Sequence, residues 1–219
     1  MTLKLNGSSS GSVSIDAHAS TAGGADRTLT LPDDSSNGVI KTSTYPSSIQ
    51  ILEQFYTPCD GSVIAASAGN ITVGDVDAVQ DLTTTYADVT GSSIAYTPPA
   101  GTTQVIYEFN FKWAFVDAYG LSHFKFFIDS DEVSDARTSI GGDYRECREL
   151  FKWGINIGGS AVTATGRLAS WSSAKTLKLQ AREYGSSNEA KLHEKRHWDG
   201  GGNNQFSRPC IGITAIGAA

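Results

Sequence analysis

Residues 102–115 read Thr102-Thr-Gln-Val-Ile-Tyr-Glu-Phe-Asn-Phe-Lys-Trp-Ala-Phe115, and their alternation decides the fold. Val105, Tyr107, Phe109, Phe111, Trp113 and Phe115 fall on every second position, with Ile106, Glu108, Asn110, Lys112 and Ala114 between them. A strand points successive side chains to opposite faces, so this period of two buries one aromatic face and wets the other. A helix would scatter the rings around its circumference. At about 3.3 Å per residue the strand is roughly 40 Å long, more than most strands reach. It reads as the central strand of a sandwich or jelly roll.

Outward from it, turn signals and short apolar runs alternate. Pro98-Pro-Ala-Gly101 precedes the long strand, and Asp117-Ala-Tyr-Gly120 turns it into Leu121–Ile128, where Phe124, Phe126 and Ile128 share a face and Phe127 takes the other. Further strands are expected at 62–66, 82–86, 94–96, 151–157, 167–171, 177–181 and 211–213. The segment 49–56 fits a helical stripe (Ile49, Leu52, Phe55, Tyr56) and a strand almost equally, and Pro58 stops either. About eight to ten strands with turns between them indicate a β-sandwich or jelly roll.

Residues 1–48 differ in kind. Apolar residues come in pairs, Leu3 with Leu5, Val13 with Ile15, Leu29 with Leu31 and Val39 with Ile40, separated by Gly- and Ser-rich spacers. Pro32 to Gly38 reads as a turn and Lys41 to Ser48 as a hinge. Four such short strands hold too little apolar area for a core of their own. The segment is therefore either disordered or buried against copies of itself, and the period-two spacing of the first three pairs favours the second, as a short β shaft or attachment collar. The domain reading is 1–48 as shaft or attachment segment and 49–219 as head. The fold class is all-β, a jelly-roll β-sandwich head with a β-rich N-terminal segment, expected to be trimeric.

Composition removes several function classes. The 219 residues carry a formal net charge of −6, which argues against nucleic acid as partner. The start, Met-Thr-Leu-Lys-Leu-Asn-Gly, has no apolar core of a signal peptide, and no apolar run approaches a membrane span. Cys59, Cys147 and Cys210 are odd in number and far apart, which reads as free thiols of a protein made in a reducing cytoplasm.

One motif points elsewhere. Residues 193–197 are His-Glu-Lys-Arg-His, a literal H-E-x-x-H. A zinc hydrolase would need His193 and His197 one helical turn apart on the metal, with Glu194 as general base. Lys195 and Arg196 beside a dication oppose this, Asn203 is a poor third ligand, and Met1 is the only methionine, so no Met-turn exists. A Ser186-Ser-Asn-Glu189 capping box still permits a short helix there. The expected reading is a charged loop, with no catalytic residues, no metal and no cofactor. Asp129, Asp131 and Glu132 cluster carboxylates that could hold Ca²⁺, but an acid-rich turn fits their spacing better.

Tyr96-Thr-Pro-Pro-Ala-Gly101, the long aromatic strand, Thr176-Leu-Lys-Leu-Gln-Ala-Arg-Glu-Tyr184 and an apolar strand at the C-terminus follow one another in an order that resembles the jelly-roll head of complement-type and tumour-necrosis-factor-like proteins. That resemblance implies tight homotrimers. Met1 to Ser48 together with Ile49–Cys59 resembles virion proteins of tailed bacteriophages, especially marine ones. It implies a structural virion protein, a tail fibre whose N-terminal part joins other virion proteins and whose head binds a host surface glycan or protein without catalysis. A capsid-decorating or head-fibre protein of the same fold is the alternative. Phe127 and Tyr107 are the residues expected at a trimer interface. The loops around Asp117–Gly120, Ile140–Arg148 and Trp198–Ser207, with Tyr119, Tyr144, Trp198, Asn203 and Asn204, are the expected binding residues, because function concentrates on loops held by rigid scaffolds.

Overall fold

The computed structural model describes residues 2–6, 12–16, 49–115, 119–143, 146–196 and 205–217. The chain divides into two compact units, Met1–Pro46 and Ser47–Ala219. In the first, β1 (Thr2–Asn6) and β2 (Ser12–Asp16) pair antiparallel, with Leu3 opposite Ile15 and Leu5 opposite Val13. The readings at Leu29–Leu31, at Val39–Ile40 and along Pro32–Ser48 lie outside the described residues.

The second unit is the head. Its strands are β3 (Gln50–Pro58), β4 (Val63–Ala66), β5 (Gly69–Thr72), β6 (Gln80–Asp81), β7 (Ala87–Asp88), β8 (Ile94–Tyr96), β9 (Thr102–Phe115) and β10 (Gly120–Ile128). They continue as β11 (Asp131–Gly142), β12 (Glu146–Asn156), β13 (Lys175–Glu183), β14 (Ala190–Leu192) and β15 (Cys210–Gly217). Four antiparallel pairings are nested in the sequence: β3 with β15, β8 with β13, β9 with β12, and β10 with β11. The pairings β9–β15 and β10–β13 then join them into two sheets, β3-β15-β9-β12 and β8-β13-β10-β11. Nested pairs rolled into two facing sheets define a jelly roll. The segment 49–56 resolves as strand because β15 supplies its partner along the whole of β3.

The aromatic face of β9 is the core. Val105, Tyr107, Phe109, Phe111, Trp113 and Phe115 are each at most 2% exposed. β9 lies across from β10, with ring centroids 5.1 Å apart for Tyr107 and Phe126 and 5.5 Å apart for Phe111 and Phe124. The polar tips of these side chains are paired, as burial requires. Trp113 Nε1 donates to Ser122 Oγ at 3.0 Å, and Tyr107 Oη donates to Ser92 O at 2.6 Å. Gly120 opens β10 because a Cβ there would lie 1.9 Å from the Phe115 ring.

Several expectations are corrected. Tyr107 is not at a subunit surface: it is fully buried against Phe126 and Phe151. Phe127 does face out of the sandwich, half-buried between Glu132 and Lys178 in register. The stretch 167–171 is no strand. Arg167 and Leu168 make isolated bridges, and Trp171 is a buried plug whose Nε1 donates to Tyr96 O at 3.2 Å. Asp131 and Glu132, read as part of a turn, and Ile140–Gly142, read as part of a loop, belong to the long strand β11, and 82–86 is not a strand but the link between β6 and β7.

Candidate functional site

The registers bring Phe115, Gly120, Gly142, Glu146, Glu183 and Ala190 to one end of the sandwich. Two expected binding regions, around Asp117–Gly120 and Ile140–Arg148, belong to this end. Tyr119 is 73% exposed there, and its carbonyl accepts a hydrogen bond from Asn188 Nδ2. The third region leaves the sheet elsewhere. β14 and β15 lie end to end along one edge of β9, Leu192 opposite Trp113 and Cys210 opposite Asn110, so the chain leaves β14 and enters β15 at the middle of that edge. Tyr144, His197, Trp198, Asn203 and Asn204 lie outside the described residues.

The H-E-x-x-H motif does not start on a helix. His193 N donates to Lys112 O at 2.7 Å, which continues β14 along β9, and Glu194 bridges Phe206. His193 has φ 62°, a left-handed conformation that a right-handed helix does not contain. The helical spacing that a zinc hydrolase needs is therefore broken at its first ligand. The imidazole is fully buried, edge-on to Phe109 and Phe111, with Nε2 3.1 Å from Thr90 O. Burial pushes its pKa down to about 4, so it is neutral at pH 7, and its Nε2–H donates to the Thr90 carbonyl. Among the described residues its buried Nδ1 has no hydrogen-bond partner. His193 is a packing residue. Residues 186–187 form a turn in place of the helix that the capping box permits.

The acid-rich turn is an ion-paired corner. Asp129 accepts from Thr176 N at 2.8 Å and from Lys175 Nζ at 2.9 Å. Glu132 takes Arg137 Nε at 2.5 Å and Lys125 Nζ at 2.9 Å. Those bonds, Arg137 foremost, hold the Glu132 carboxyl below the ordinary carboxylate range. The cation neighbours of these oxygens are thus side chains of β10, β11 and β13. Among the described residues no three His, Cys, Asp or Glu converge as a metal site.

A cleft of about 280 Å³ lies on the side of the sandwich where β11 and β12 are the edge strands. Its origin is a bulge. Five residue steps separate Val133 from Thr138 on β11, against two between their partners Phe126 and Phe124 on β10. The surplus turns 134–137 off the ladder and parts the sheet edges, as bulges do. Phe111 and Phe124 form the inner wall, and Phe151 and Trp153 from β12 line the opening. Glu149 shares their phase on β12, in register with Phe111, so its carboxylate faces the inside of the sandwich. It accepts from Cys147 Sγ at 3.0 Å. Asp135, Arg137 and Thr138 stand at the bulged rim. No sequence motif marks this cleft. The available signal is one carboxylate in an otherwise apolar phase, Cys147, Glu149, Phe151, Trp153, Ile155.

Architecture places the chain among the jelly-roll β-sandwich proteins. No family model matches it, and no curated protein does. Solved structures that resemble it include a mutant VP2 protein of infectious bursal disease virus in derived T=1 particles, at 11% identity and TM-score 0.24, covering 72% of this chain and 45% of that one. A second is the infectious bursal disease virus Gx strain, at 10% identity and TM-score 0.23, over 72% and 45% of the two chains. The chain spans less than half the length of either.

Proposed function

We propose that the chain is a structural protein of a bacteriophage virion, a homotrimeric tail fibre or related appendage whose head binds a host surface without catalysis. The observation that carries this reading is the division of the chain into a slight N-terminal unit and a large, self-sufficient head. The described part of the first unit is two five-residue strands. A two-stranded ribbon is marginal alone in water, so it needs further copies or a partner surface. The head has the opposite character: its core is complete and its aromatic tips are bonded. A slight attachment segment joined to a rigid head suits an appendage. The N-terminal unit would join other virion proteins, and the head would meet a glycan or protein on the host.

Two measurements test this. Light scattering on the full chain and on a chain beginning at Ile49 should give a trimer for the full chain; a monomer at every concentration would defeat the trimeric reading. An antibody raised against the head should decorate particles purified from cultures that make the protein. Label on the tail supports a fibre, label on the shell supports a capsid-decorating protein, and unlabelled particles overturn the virion assignment.

A further inference from the structure

We propose that the cleft between β11 and β12 binds a single neutral sugar ring of a surface glycan, and that it is the recognition site of the head in place of the end loops. The inference rests on the reading of the head as an adhesive domain. Its volume, about 280 Å³, is near the lower bound of small-molecule sites, roughly 300 Å³, so it admits a ring and not a folded segment. A sugar ring has an apolar C–H face and a rim of hydroxyls, each both donor and acceptor. The cleft matches both parts. Phe111, Phe124 and Trp153 offer apolar wall, while Glu149 and Asp135 can accept and Arg137 and Thr138 can donate.

Charge disfavours an anionic occupant, because the cations of the lining are paired with carboxylates and Asp135 and Glu149 remain. The lining residues include two carboxylates, Asp135 and Glu149, and two cations, Arg137 and Lys152, the last in the outward phase of β12, opposite to that of Glu149. Both cations are already anchored, Arg137 Nε to Glu132 at 2.5 Å and Lys152 Nζ to Glu108 at 3.0 Å. Anchoring fixes Arg137 and leaves its other N–H groups available, the preorganisation that lowers the entropy lost on binding. Glu149 is the decisive residue. An inward carboxylate costs desolvation that a leucine at the same position would avoid. A carboxylate has about four lone-pair sites, and the bond from Cys147 uses one.

The test uses the full chain with the methyl glycosides of glucose, galactose, mannose and N-acetylglucosamine, and with glucosamine hydrochloride as a cationic control. Tryptophan fluorescence and saturation-transfer NMR report binding. At least one neutral glycoside should saturate the protein. Glu149→Leu should weaken that binding about tenfold or more, since a hydrogen bond to a charged group is lost, while the melting temperature holds or rises. Tyr119→Ala should leave binding unchanged. A drop in melting temperature in Glu149→Leu with binding retained makes Glu149 structural and overturns the proposal. Loss of binding in Tyr119→Ala but not in Glu149→Leu moves the site to the end loops. Response to glucosamine alone overturns the choice of a neutral ring. No binding by the full chain, with particles still decorated by the antibody, removes the cleft assignment and leaves the virion reading standing. Glycoside binding with undecorated particles does the opposite.

Discussion

His193 shows how one buried group sets the response of the head to acid. In the unfolded chain its imidazole titrates near 6.5, and in the fold burial holds it to about 4. Between those values the unfolded state takes up a proton that the folded state refuses. Stability is therefore complete above pH 6.5 and falls as the pH drops toward 4, by about 3 kcal/mol for this group alone. His193→Asn should flatten that part of the profile, because asparagine tolerates the left-handed backbone and does not titrate. Urea midpoints from pH 7 to pH 4 check it; equal slopes for both proteins would mean that another group governs acid unfolding. Cys59 behaves similarly under alkali. Burial pushes its thiol up to about 12, so it should resist alkylation at pH 8 while the chain is folded.

At the scale of elements, the start of β10 is packed closely on the end of β9. Any Cβ at Gly120 meets the buried Phe115 ring. Gly120→Ala should cost about 1–3 kcal/mol as the ring is displaced; an unchanged denaturation midpoint would show that the corner has slack. Elements of this kind were legible where one physical rule acted alone. β9, β10 and β13 show in the sequence because each buries one face and wets the other along its length. β11 does not, since its bulge breaks the period of two at 134–137 and its outward positions carry ion pairs that resemble a turn. Trp171 read as strand because burial marks a plug and a strand alike. The candidate loops were visible only as turn chemistry, and that chemistry does not tell which end of a sandwich a loop occupies. The cleft was hidden for a different reason: it joins residues from β9, β10, β11 and β12, whose neighbourhood exists only after the sheet edges part.

For the whole molecule, the nested pairing makes the last strand an interior one. β15 lies between β3 and β9, and its Ile211, Ile213 and Ala215 are fully buried. A chain ending at Pro209 should therefore lose cooperative unfolding entirely, with no fixed aromatic signal in near-ultraviolet circular dichroism. A sharp melt from that shortened chain would show that β3 and β9 can close without it. The same placement has a consequence in time. Synthesis runs at about 5–20 residues per second, so on the order of ten seconds separate the making of Gln50 from that of its partner Gly217. Throughout that interval the first strand of the head has no mate of its own, while ribosomes following on the same messenger are exposing identical strands nearby. Each nascent head stays open to mispairing with its neighbours until its own final residues arrive.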